Sequence, residues 1–93
     1  MNKLTGKQRA AYRSHANGLN VIITIGKAGV TPELVKMVDE ALDARELIKI
    51  GMLESTDSTI EDAARMVSER TRSEIIQVIG RKIVLFRKNK EKR

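Results

Sequence analysis

The residue pattern predicts an α/β (α+β) fold in the order α-β-α-β-α-β-β, and three observations carry that prediction. Short runs rich in β-branched residues, near residues 19–25 and 46–53, alternate with longer stretches whose apolar positions recur at helical spacing. Serine or threonine stands at the head of each helical stretch, where its oxygen can accept an otherwise unbonded backbone N–H. Two further apolar runs, residues 74–79 and 83–87, flank Gly80-Arg81-Lys82 and close the chain on a hairpin.

The first helix opens at Leu4-Thr5-Gly6-Lys7-Gln8, with Thr5 as N-cap and Gln8 placed to complete a capping box. Leu4, Gln8, Ala11, Tyr12, His15 and Leu19 share one stripe, and Gly18 is the expected C-cap. Lys3, Lys7, Arg9 and Arg13 lie off that stripe, and His15 reads as packing at the helix flank. Residues 19–25 form the first strand. The second helix, residues 32–44, buries Leu34, Val35, Val38, Ala41 and Leu42 and wets Glu33, Lys36, Asp39, Glu40 and Asp43.

Residues 46–53 form the second strand, and a strand, a helix and a strand in this order imply a right-handed parallel crossover. Lys49, among apolar neighbours, is expected at a sheet rim or an open face, and Gly51 at a bulge or a close backbone approach. Ser58 and Glu61 make a second capping box for a third helix with Ile60, Ala63, Ala64, Val67 and Thr71 inward, ending near Thr71. Met37, Met52 and Met66 read as core or core edge. Gly80 suits the lead position of a type II′ turn, from which Arg81 and Lys82 would project. Arg87 opens a run of bases. Residues 1–87 read as the single domain and residues 88–93 as a mobile basic tail.

The junction between the first strand and the second helix is the stretch most suited to a ligand. Thr31 is a good N-cap, Pro32 suits the first helical position, and Val30 and Val35 are spaced for a hydrophobic staple. Between strand and cap lies Gly26-Lys27-Ala28-Gly29. Glycine allows a sharp turn and a close approach by another backbone, and amides at a helix head attract anions. The four residues read as a candidate clamp for a phosphate backbone. The plain alternative is a strand-to-helix turn with no ligand. A nucleotide P-loop is excluded because no Gly-Lys-Ser/Thr follows, and a dinucleotide fingerprint because the third glycine is missing.

Charge supports the first reading. The chain carries 18 Lys+Arg against 12 Asp+Glu, a net +6, which suggests a polyanionic partner. Residues 1–30 hold bases and no acid, residues 31–74 hold most of the acids, and residues 75–93 hold one acid, Glu91. The two positive ends could share one surface. Only Tyr12 and Phe86 are aromatic, too few for a sheet that stacks bases, so a nucleic acid would be held mostly by sugar and phosphate. With no cysteine, one histidine, no metal-ligand cluster and no nucleophile–base pair, neither an enzyme nor a cofactor or metal site is expected. No secretory or membrane-length apolar run appears, and a cytoplasmic protein is expected.

Three segments in order carry a resemblance: Leu4-Thr5-Gly6-Lys7-Gln8-Arg9, Ile25-Gly26-Lys27-Ala28-Gly29-Val30-Thr31, and Gln77-Val78-Ile79-Gly80-Arg81-Lys82-Ile83-Val84-Leu85-Phe86-Arg87. Ala41-Leu42 and Glu46-Leu47-Ile48-Lys49 add a fourth match. The chain resembles the CRM domain (chloroplast RNA splicing and ribosome maturation) in its stand-alone bacterial YhbY-like form, over nearly its whole length. The resemblance implies an RNA-binding domain with a four-stranded mixed sheet and packed helices, similar to the C-terminal domain of translation initiation factor three. It also implies association with precursors of the large ribosomal subunit. The G-x-x-G turn is likened to that of KH domains, where it meets the nucleic-acid backbone, and that role passes to Gly26, Lys27, Ala28 and Gly29. Two positions depart from the family pattern: Asn20 stands where proline is expected, and Phe86 where tyrosine is usual.

The resulting expectation is a monomeric, non-enzymatic RNA-binding protein that assists large-subunit assembly. Its partner would be ribosomal RNA of the large-subunit precursor, met by the glycine turn. Lys7, Arg9, Arg13, Arg81 and Lys82, assigned by charge, would widen the footprint. The alternative is an adaptor that docks a ribosomal protein or assembly factor through the acidic middle of the chain.

Overall fold

The computed structural model describes residues 4–88. In chain order its elements are α1 (Gly6–Ala16), β1 (Val21–Ile25), α2 (Pro32–Arg45), β2 (Leu47–Met52), α3 (Ile60–Thr71), β3 (Glu74–Ile79) and β4 (Lys82–Phe86). The strands form one mixed sheet in the order β1-β2-β4-β3. β1 runs parallel to β2, as the intervening helix requires, while β4 is antiparallel to both β2 and β3. Gly80 at φ 57° leads the two-residue hairpin turn and Arg81 has no positive φ, which fits type II′.

Alternation along β2 sorts the two faces of the sheet. Ile48, Ile50 and Met52 join Ile23, Ile25, Ile83 and Leu85 beneath α2 and α3, which contribute Leu34, Val38, Leu42, Ala63, Ala64 and Val67. Burying an aliphatic side chain of this size stabilises by about 1.5–3 kcal/mol, so this face supplies most of the stability. Leu47, Ile76, Val84 and Phe86 lie on the opposite face with Ala16 of α1, flanked by Leu4, Tyr12 and Leu19. Tyr12 stacks on Phe86 with ring centroids 4.3 Å apart and planes 26° apart. Phe86 is buried in this apolar cluster, where the ring itself fills the space.

Local signals hold where the partner is local. Thr5 and Gln8 form the expected capping box, and the Thr31 oxygen accepts from the Leu34 amide at 3.1 Å. Gly51 is a close approach: a Cβ built there would meet a Val21 methyl at 3.4 Å.

Several expectations are corrected. Gln8, Ala11 and His15 are exposed, and the packing face of α1 is Arg9, Tyr12 and Ala16. The Tyr12–Phe86 stack and the small Ala16 set the rotation of a helix that has few apolar residues of its own. α1 ends at Ala16 with Asn17, not Gly18, as its cap. The third cap is Thr59, whose oxygen accepts from the Asp62 amide at 3.1 Å. Two adjacent hydroxyls each precede an acid by three residues here, and the second one is used. Met52 is core and Met66 half-buried, but Met37 is 50% exposed. β1 begins at Val21 because Leu19 is drawn into the cluster beneath α1.

Arg87 follows β4 directly. Its amide donates to the Glu46 carbonyl, and its guanidinium bonds the Asp39 carboxylate and carbonyl, the Asp43 carboxylate and the Thr71 carbonyl. One side chain thus joins the end of β4 to α2 and to the last turn of α3. The tail expected from residue 88 onward lies, apart from Lys88, outside the described residues.

Candidate functional site

The glycine stretch is a β-turn. The Gly29 amide donates to the Gly26 carbonyl at 3.0 Å, with Lys27 and Ala28 between. Neither central residue has positive φ, which fits type I, and Gly29 follows at φ 79°. Only the last position therefore needs glycine for its backbone. At Gly26 the φ is not positive and a Cβ would have nothing within 4 Å, so nothing inside the molecule demands glycine there.

The turn is held from behind. The Thr56 hydroxyl donates to the Gly26 carbonyl at 2.9 Å, and the Leu53 amide to the Ile25 carbonyl at 3.0 Å. Thr56 is buried. The head of α2 is largely satisfied by its own cap, since Thr31 takes the Leu34 and Val35 amides and Pro32 has none. The expected anion site at that helix end is correspondingly weak. Among the described residues the Lys27 and Ala28 amides donate to no protein acceptor, and both residues are exposed. The Lys27 ammonium stands beside them in sequence, so the tip of the turn is the part equipped to meet an oxyanion.

Strand register decides which bases accompany Lys27. Ile25 pairs with Met52, Gly51 with Lys82, and Lys82 with Ile79. The glycine turn and the hairpin tip therefore share one end of the sheet. Lys82 is exposed there. Arg81 does not project as expected: its guanidinium folds back onto the Met52 and Leu53 carbonyls, at 3.1 and 2.6 Å. A two-residue turn leaves the ends of β2 and its following loop within reach, and those carbonyls lack strand partners.

Arg9 lies at the other end. It donates to the Ile75 carbonyl at 2.6 Å and to Glu74 at 2.9 Å, and Glu74 pairs with Phe86 and Phe86 with Leu47. That is about 16 Å from the glycine turn along strands of this length. Lys7 and Arg13 are exposed on the same helix. The bases of α1 and of the hairpin are thus separate along the strands, yet they share a side. α1, Lys49 and Lys82 lie on the sheet face opposite α2 and α3, and Glu74, occupied by Arg9, is the acid of that face. Glu33, Asp39, Glu40, Asp43, Glu61, Asp62 and Glu69 belong to α2 and α3 and outnumber the bases there, Lys36, Arg45, Arg65 and Arg70. The sheet therefore separates a basic layer from an acidic one.

A sequence profile of the CRS1 / YhbY (CRM) domain matches residues 4–87. The chain belongs to the CRM domain family. Bacillus subtilis has a relative named "Probable RNA-binding protein YqeI", 42% identical over 88 residues that cover 95% of this chain and 92% of that one. A Haemophilus influenzae relative named "RNA-binding protein" is 28% identical, over 98% of this chain and 92% of its own length. The solution structure of the hypothetical protein SAV1595 from Staphylococcus aureus superposes with a TM-score of 0.82 at 42% identity, covering 98% of this chain and 95% of that one. The three-helix, four-strand mixed fold is thus that of a solved structure, and this CRM domain carries its G-x-x-G turn at the head of α2.

Two contributors to the site escaped sequence reasoning. Thr56 braces the turn from 30 residues away, and no local signal marks it. Leu53, 47% exposed, sits beside the turn through the hydrogen bond from its amide to the Ile25 carbonyl. Among the described residues, no cluster of His, Asp or Glu could hold a metal ion, and no helix is long and apolar enough to cross a membrane.

Proposed function

We propose that this CRM domain is a non-enzymatic RNA-binding protein that meets the sugar–phosphate backbone through the Lys27–Ala28 tip of its glycine turn and assists assembly of the large ribosomal subunit. The observation that carries the reading is Gly26. It is a glycine that neither φ nor packing requires, next to two amides and an ammonium that have no partner among the described residues. A side chain at Gly26 would obstruct an incoming backbone and nothing else. The names of the relatives support RNA as that partner. Phosphate contacts position RNA but specify little sequence, so selectivity would come from RNA shape, 2′-hydroxyls or a further partner.

The test is binding to large-subunit ribosomal RNA by wild type and by Gly29→Asp, together with sedimentation of the protein with large-subunit precursors. The reading expects the carboxylate at position 29 to weaken binding in a protein that still folds. Undiminished affinity would remove the turn from the interface, and absence from precursor fractions would remove the assembly role. The acidic outer surface of α2 and α3 favours a second reading, an adaptor for a basic ribosomal protein. Partners retained after exhaustive nuclease treatment would support it.

A further inference from the structure

The lower end of β1 bears a second concavity, remote from the glycine turn. A cleft of about 300 Å³ opens between the α1–β1 connection and the start of β2, with Leu19, Asn20, Ile22, Arg45, Leu47 and Lys49 in its lining. The lining holds two cations and no carboxylate. Among the described residues the side chains of Arg45 and Lys49 form no hydrogen bond or ion pair, as is true also of Arg13, Arg70 and Arg72, whereas the guanidinium groups of Arg9, Arg65, Arg81 and Arg87 are bonded within the fold. Lys49 is half-buried in a central strand, where its stem can lie along the sheet while its ammonium reaches the cleft. The wall has its own cause. The register between β1 and β2 shifts between Val21 and Ile23, and the extra residue, Ile22, is left 40% exposed against the cleft.

We propose that this cleft takes one nucleotide of an RNA strand laid along the free edge of β1, with its phosphate between Arg45 and Lys49 and its ribose or base against Ile22. The inference rests on the reading of the glycine turn as an RNA contact, because the strand that reaches the cleft is the one held there. β1 is an edge strand of the sheet. Ile22 and Gly26 are four residues apart on it, about 13 Å in extended chain, a gap that a single strand bridges. This continuity with Lys27 along one edge favours RNA over an acidic peptide. Asn20 adds an amide that can donate or accept at a base edge.

The experiment is a titration of the ¹⁵N-labelled full chain with random-sequence single-stranded RNA, followed by binding assays on variants. Amide shifts at Asn20, Ile22 and Lys49 together with shifts at Gly26–Gly29 are expected. Shifts confined to the turn would overturn the cleft and leave the turn standing. Shifts confined to the cleft would overturn the turn and, with it, the continuous strand path along β1 proposed here. Lys49→Ala and Arg45→Ala are each expected to weaken binding about fivefold at 0.1 M salt, the share of one single-strand phosphate contact. Lys36→Ala removes the same charge from the acidic layer, and an equal loss there would reduce the cleft to diffuse attraction and overturn it.

Discussion

The Thr56 hydroxyl donates to the Gly26 carbonyl at 2.9 Å, and that same carbonyl accepts the Gly29 amide at 3.0 Å. The loop after β2 thus fixes the atom on which the glycine turn closes. Thr56→Val keeps the shape and removes the donor. It is expected to cost about 1 kcal/mol in urea denaturation and to speed hydrogen exchange at the Gly29 amide more than at amides of the central strands. Unchanged exchange at Gly29 would mean that the turn holds without its brace.

The two glycines of the turn should behave differently. Gly26→Ala meets open space and no positive φ, so stability should stay within about 0.5 kcal/mol of wild type while RNA affinity falls. Gly29→Ala also has room but must adopt φ 79°, which costs about 1 kcal/mol before any ligand is present. Thermal melts paired with RNA binding separate the cases. An alanine at position 26 that binds RNA as wild type does would leave the fold with an unexplained glycine and the proposed contact without its main support.

What was legible in the sequence was local. The element order, the Thr5 and Thr31 caps and the hairpin glycine depend on neighbours within a few positions, and each stands where expected. The arginines were not legible. Arg9 finds its partners 65 and 66 residues away, Arg81 28 and 29 away, and Arg87 as many as 48 away. From sequence these side chains are only charges off an apolar stripe or at a turn. Each is committed by which carbonyls the tertiary fold leaves bare beside it. Charge alone therefore does not foretell which basic side chains the fold bonds internally.

Arg72 is the C-cap of α3 in the left-handed region, at φ 57° and ψ 43°. It is exposed, so its side chain has little packing to lose. Arg72→Gly should therefore stabilise by about 1 kcal/mol, read as a higher urea midpoint at unchanged slope. A lower midpoint would mean that the arginine makes a compensating contact at the helix end.

Arg87 should be the most costly basic side chain to remove. Its side chain is 20% exposed, and its guanidinium serves two carboxylates and two carbonyls on α2 and α3. Arg87→Met retains the aliphatic stem and strands those acceptors, for an expected loss of about 2 kcal/mol. Much of it should persist at high salt, because the carbonyl bonds are not ion pairs and only the Asp39 and Asp43 contributions are screened. A loss that vanishes in 1 M salt would assign the clamp to charge attraction alone.

The salt dependence of RNA binding separates bases that meet phosphate from bases that hold the fold. Each single-strand phosphate contact contributes about 0.7 to the slope of log affinity against log salt. Lys27 is exposed at the tip of the glycine turn, so Lys27→Ala should make the slope shallower by about that amount at unchanged stability. Arg9 already spends its guanidinium on the Ile75 carbonyl and Glu74 at the far end of the sheet. Arg9→Ala should therefore lower stability by about 1 kcal/mol and leave the slope as it was. Arg81→Ala is the intermediate case. Its guanidinium serves the Met52 and Leu53 carbonyls, yet it lies at the same end as the glycine turn. It should destabilise the hairpin tip and weaken binding through loosened geometry, with the slope nearly unchanged. If Arg9→Ala instead reduced the slope as much as Lys27→Ala, the RNA would have to reach α1. The arginine would then have to leave Glu74 on binding, and the footprint would cover the whole basic layer instead of one end of the sheet.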